Sequence, residues 1–145
     1  MKIATVSSIA LAATGALAVP TKRTGEEVTI TGLQATTSNE SGYVEFSIYD
    51  PNYSDSTSAS LTWDRPGQPP ADTWSADYNY VVEFPNGVND IVWLNFIIKR
   101  VGGGETVSVA LNSNAADSHW GCGGLVDGKR SCVFTGPLTL TPTSS

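Results

Sequence analysis

The chain is poor in the residues that carry most enzyme chemistry. Among 145 residues it has one His, two Cys, one Met and only eight Lys plus Arg, against fourteen Asp plus Glu. Each scarcity closes off a class of function. The formal net charge of −6 repels phosphate backbones and anionic lipid. Past the N-terminal segment the basic doublets are Lys99-Arg100 and Lys129-Arg130, and neither makes a patch, so nucleic acid is not an expected partner. Zinc takes three or four ligands, and His119 with Cys122 offers two, so no metal site is expected. A sole histidine and the absence of a Gly-x-Ser-x-Gly elbow leave no Ser-His-Asp reading. No segment after the leader is long and apolar enough for a transmembrane helix. No cofactor motif is present, and none is expected to bind.

What is present begins with an export signal. Lys2 precedes an apolar stretch, Ile3 to Ala18, that ends in Ala16-Leu17-Ala18, the small-x-small pattern of a cleavage site. Lys22-Arg23 then offers a dibasic trimming site. The reading is a signal peptide over 1–18, a pro-segment over 19–23 and a single secreted domain over 24–145. Removing Lys2, Lys22 and Arg23 leaves five basic against fourteen acidic residues, a net charge of −9. The protein is expected outside the cell.

Secretion bears on the two cysteines, because thiols oxidise in that compartment. Asp127-Gly128 between them is a strong turn signal. A three-residue loop, Val126-Asp127-Gly128, would set Leu125 opposite Lys129 and Cys122 opposite Cys132. The expectation is a Cys122–Cys132 disulfide, worth about 2–3 kcal/mol in the chain-entropy model. A thiolate nucleophile with His119 as its base is the competing reading, and an oxidised Cys122 cannot attack.

The rest of the chain has a period of two. Val44, Phe46 and Ile48 form one inward set. Thr57, Ala59, Leu61 and Trp63 form a second, and Tyr78, Tyr80, Val82 and Phe84 a third. Val107, Val109 and Leu111 form a fourth. Gly32 shifts the phase of Val28-Thr29-Ile30-Thr31 before Leu33, as a bulge would. Ile91 to Ile98 is apolar except for Asn95, which predicts a strand covered on both faces. Turn formers separate these runs, and no stretch past the leader combines helical period with helical composition. The fold class is all-β: a single compact antiparallel β-barrel or sandwich of roughly eight or more short strands.

Two sequons, at Asn39 and Asn52, fall in predicted turns and are candidate glycosylation sites. Asp50, Asp55, Glu83 and Asp90 could supply the carboxylate pair of a glycosidase, but nothing in the sequence sets two of them across a cleft. The exposed-aromatic candidates for a binding surface are Tyr49, Tyr53, Trp74, Trp93 and Trp120. Trp63 and Tyr80 fall on inward faces. The plainer alternative for Trp93 is a place under a covering loop, and for Trp120 packing on the disulfide.

The order of these features resembles the small secreted fungal proteins typified by the major allergen of Alternaria. The residues that carry the resemblance are Val28-Thr29-Ile30-Thr31-Gly32-Leu33, Trp74-Ser75 leading into Tyr78 to Phe84, Trp120-Gly121-Cys122, and Cys132-Val133-Phe134-Thr135-Gly136-Pro137-Leu138-Thr139-Leu140. The likeness is diffuse over residues 24–145 and most specific at the C-terminal element. It implies a mostly antiparallel β-barrel secreted by a filamentous fungus, an effector, elicitor or allergen that acts on host proteins without established catalytic residues. Members typically carry two intrachain disulfides. The later corresponds to Cys122 and Cys132. The earlier falls where this chain has Ala59 and Ala76. With no cysteine spare, the covalent dimer of the archetype is not expected.

The function read from the sequence is therefore a secreted, non-enzymatic protein that binds a host plant extracellular protein. Its contacts would come from the Asp50–Ser56 turn and the Asp64–Asp72 and Asn112–His119 loops. A carbohydrate-binding or cell-wall-associated module is the alternative, and a small secreted hydrolase the third reading.

Overall fold

The computed structural model describes residues 25–64, 70–88 and 90–144. The expected signal peptide (1–18) and pro-segment (19–23) and the centre of the 64–72 segment lie outside the described residues. Among those described, all regular structure is strand, in two antiparallel sheets. The first sheet holds β1 (Val28–Thr37), β2 (Ser41–Asp50), β3 (Asp55–Asp64), β8 (Trp120–Cys122) and β9 (Arg130–Phe134). Their order is β3-β2-β1-β9-β8, with β10 (Leu138–Leu140) also paired to β1. The second holds β4 (Asp72–Trp74), β5 (Tyr80–Glu83), β6 (Trp93–Arg100), β7 (Glu105–Asn112) and β11 (Thr143–Ser144), in the order β11-β7-β6-β5-β4.

The alternation in the sequence becomes the two walls of one buried cluster. Ile30, Val44, Phe46, Ile48 and Leu61 from the first sheet meet Val82, Leu94, Phe96, Ile98 and Val107 from the second. Phe46 stacks on Phe96 across the middle, with ring centroids 4.9 Å apart. Gly32 makes the bulge that the phase shift predicts. The β1–β2 register slips between Thr31 and Gln34, and Gly32 takes a φ of 64°, which returns Leu33 to the core. Gly42, opposite Trp63, is needed for space: a β-carbon there would lie 2.1 Å from the Trp63 ring.

Contacts along their sides tie the sheets together. At one side, Ala59 of β3 bridges Ser75, Ala76 N donates to Ser58 O (2.8 Å) and Thr73 Oγ1 donates to Ser60 O (2.8 Å). At the other, β10 on β1 is followed directly by β11 on β7.

Three expectations are corrected. The apolar run 91–98 is not one strand covered on both faces. Ile91 and Val92 are buried in the turn before β6, and from Trp93 onward the strand alternates, with Leu94, Phe96 and Ile98 inside and Trp93 55% exposed. Tyr78 is not an inward strand residue. Strand β5 begins at Tyr80, so Tyr78 falls in a tight turn with a φ of 61° and is 71% exposed. The hairpin between the cysteines turns on two residues rather than three. Val126 and Lys129 exchange backbone hydrogen bonds, and Asp127 (φ 53°) and Gly128 (φ 77°) are both left-handed, the pattern of a type I′ turn. One extra residue on the 123–125 side restores Cys122 opposite Cys132.

Candidate functional site

The fold has two dissimilar ends. At one lie the 38–40 turn between β1 and β2, the end of β3 at Asp64, the start of β4 at Asp72, the start of the 113–119 connection, and the tip of the β8–β9 hairpin. At the other lie the turns at 51–54, 76–79 and 101–104. Of the three loops singled out in the sequence, Asn112–His119 starts at one end and Asp50–Ser56 lies at the opposite one, while the centre of Asp64–Asp72 lies outside the described residues.

The hairpin end carries exposed aliphatic side chains beside a cleft. Cys122 and Cys132 face each other with their α-carbons 4.0 Å apart and are disulfide-bonded, which staples the base of the hairpin. Beyond the staple, Leu125 (65% exposed) and Val126 (68%) point into solvent without partners in the core. Beside them is a cleft of about 630 Å³ between the hairpin and the 38–40 turn. Glycines 123 and 124 form part of its wall, and Glu40, Asp127 and Lys129 place charge on its rim. Gly128 is bare because Asn39 packs on it: a β-carbon would lie 2.3 Å from Asn39 Nδ2.

The opposite end is closed by a buried polar knot that sequence reading missed. Asp50 (1% exposed) and Asp55 both contact Tyr80 Oη, at 2.9 and 3.0 Å. Arg100 pairs with Asp55, donates to Tyr80 Oη (3.1 Å) and lies 3.7 Å above the Tyr53 ring. Burial, reinforced by the Asp50 and Asp55 charges, pushes the Tyr80 hydroxyl far above the ordinary tyrosine range. Two of the carboxylates considered for a glycosidase are thus brought together, but around a side chain of the core and not across a cleft. Glu83 is on the outer face, paired with Lys99 at 2.7 Å, and Asp90 accepts from Val92 N.

Asn52 belongs to this knot, and that bears on its sequon. Its Nδ2, the atom a glycan would join, lies within 3.0 Å of Glu26 O, Asp50 Oδ1 and Glu105 Oε1, while its Oδ1 accepts from Glu26 N (3.1 Å). Asn52 is 2% exposed, so the folded chain has no place for a sugar there. Asn39 is exposed in its turn. Glycopeptide mapping of protein exported from a glycosylating host is expected to find occupancy at Asn39 and none at Asn52. Asn52→Ala is expected to cost about 1–3 kcal/mol in urea unfolding, because it removes the side-chain hydrogen bonds to Glu26, Asp50 and Glu105 from a buried site.

The aromatic candidates separate by face. Tyr49, Trp74 and Trp93 are about half exposed. Tyr53 is half-buried under Arg100 and donates to Gly103 O (3.2 Å). Trp120 leaves the list of surface residues: it is fully buried, in the same core cluster as Cys132, and its Nε1 donates to Ile91 O (2.8 Å). Among the described residues no loop covers Trp93, which is 55% exposed. Tyr78, exposed and 6.2 Å from Trp74 between ring centroids, joins the list.

His119 stacks on Phe134 (5.8 Å between ring centroids). Among the described residues no three His, Cys, Asp or Glu side chains are grouped to hold a metal ion. Among them, too, no helix is long and apolar enough to cross a membrane. No family model matches the chain, and no curated protein matches it.

Proposed function

We propose that the protein is a secreted, non-enzymatic β-barrel, closed along the β3–β4 seam, that acts by binding another protein through its stapled hairpin. The supporting observation is the pair Leu125 and Val126, held in solvent on a disulfide-braced turn beside a cleft. A braced hairpin has little conformational freedom to lose on docking. Aliphatic tips suit an apolar pocket in a protein and have no use in stacking on sugars. Glu40 and Asp127 on the rim, with the acidic balance of the whole chain, suit a partner with basic residues around that pocket, and salt should weaken the encounter. Secretion, fungal origin and a plant host belong to this reading through the resemblance to the Alternaria allergen group.

The test is affinity capture from plant apoplastic fluid with residues 24–145 as bait. A specific partner should be retained by the wild type and lost with Leu125→Ser/Val126→Ser, whose melting temperature should be unchanged. Equal capture by both proteins would remove the hairpin from the account.

A further inference from the structure

The outward side chains form a continuous row across the seam between the sheets. Gln34 on β1 stands opposite Glu45 on β2, and Glu45 stands opposite Ser60 on β3. The antiparallel Ala59–Ser75 bridge then sets Ser60 beside Trp74, which in turn faces Val81 of β5. Adjacent strands are about 4.8 Å apart, so Trp74 stands roughly 10 Å from Glu45 along this row.

A groove of about 370 Å³ lies over this part of the first sheet, lined by Gln34, Glu45, Ser47, Ser58 and Ser60, with Gly32 of the bulge leaving it open. The carboxylate of Glu45 is held by Gln34 Nε2, which donates to one oxygen, and by Tyr43 Oη, which donates to the other. Tyr49, half exposed, is on the same face of β2 two residues beyond Ser47. Past β3 stand Trp74 and Tyr78, both exposed, with their rings tilted 49° to each other.

The turn that presents Tyr78 is firmly tied. The Asp77 carboxylate accepts from Ser75 Oγ, Asn79 N and Asn79 Nδ2 (2.7, 3.0 and 3.0 Å). Asp77 N donates to Thr57 Oγ1, and Ala76 N to Ser58 O, which fixes the turn against the groove's own strand.

We propose that this groove binds a neutral oligosaccharide, with sugar rings packed against Tyr49 and the Trp74–Tyr78 pair and their hydroxyls bonded by Gln34, Glu45 and the three serines. Apart from Gly32, Phe46 and Ala59, the lining among the described residues is amide, carboxylate and hydroxyl side chains with no cation, which disfavours anionic ligands. A purely apolar ligand would bury these groups without partners. Protein interfaces have an apolar centre and a polar rim. Here the centre is polar and the aromatic rings stand at its edges, which suits a molecule with C–H faces and a periphery of hydroxyls. The volume is at the small end of ligand sites, enough for a short oligosaccharide segment. The site is separate from the hairpin tip, so either can fail without the other.

Titration calorimetry with cello-, xylo-, laminari- and chito-oligosaccharides tests this, with an oligogalacturonide and a proline-rich peptide as competing ligand classes. Residues 24–145 should bind at least one neutral sugar and neither competitor. Trp74→Ala should weaken that binding at least tenfold, and so should Glu45→Gln, which keeps the shape of the side chain if the tryptophan variant folds poorly. Trp93→Ala and Leu125→Ser/Val126→Ser should bind as the wild type does. Failure of the wild type to bind any neutral oligosaccharide, binding undiminished in both groove variants, or selection of the peptide or the acidic sugar would overturn the proposal.

Discussion

Trp120→Ala is expected to lower folding stability by about 3–5 kcal/mol, whereas Trp93→Ala should change it by less than about 0.5 kcal/mol. Both residues are tryptophans on strands, and their surroundings differ completely. The Trp120 ring is fully enclosed, touches no water, and hydrogen-bonds the Ile91 carbonyl through its indole nitrogen. Strand β8 has only three residues, and this ring is its one fully buried side chain. Truncation leaves a cavity and an unpaired buried carbonyl. Trp120→Phe, which fills much of the cavity but cannot donate, should fall between the two. Urea unfolding followed by far-ultraviolet circular dichroism measures all three. A loss below about 1 kcal/mol for Trp120→Ala would mean that the ring does not occupy this place.

The second large effect is at Arg100. Arg100→Met keeps most of the side-chain stem but removes the cation that faces Asp55 and Tyr80. The guanidinium is largely buried, with 17% of the side chain exposed, and loss of one partner from such a pair typically costs about 3–5 kcal/mol. Part of that cost is the carboxylate left behind, so Arg100→Met/Asp55→Asn should be less destabilised than the sum of the two single variants.

The same knot sets an alkaline limit. The Tyr80 hydroxyl has its pKa raised in the folded state, by burial first and then by Asp50 and Asp55. A raised folded value means that the unfolded chain loses the proton first. Stability from this group is therefore complete below the ordinary tyrosine pKa of about 10 and falls as pH rises beyond it. Tyr80 should stay un-ionised until the protein unfolds, and its tyrosinate absorbance should appear together with the loss of circular dichroism.

Local pattern carried much of the architecture. Alternation in Val44–Ile48 and Val107–Leu111 named core residues because a strand's two faces are decided by parity, whatever its neighbours. Gly32 marked its bulge for a similarly local reason. Cys122 and Cys132 are opposed as expected, although the turn between them has two residues and a compensating bulge, because Asp-Gly favours the tight left-handed pair over the longer loop. Those statements need only a few consecutive residues.

Strand order and long-range pairing settled the rest. Parity says that Trp93 and Leu94 face opposite ways, but not that Trp93 is left more than half exposed. Asn52 reads as a glycan acceptor in a turn until Glu26 and Glu105, separated from it by 26 and 53 residues, enclose it. Tyr78 and Tyr80 share a parity, and only the tight turn held by Asp77 sends the first to solvent. The row from Gln34 to Trp74 exists because β3 meets the segment at Ser75, a contact between two sheets that no run of adjacent residues encodes. The secondary structure and its faces follow from short-range sterics and hydrophobic spacing. The sites follow from which distant segments are packed together, a property of the whole folded chain.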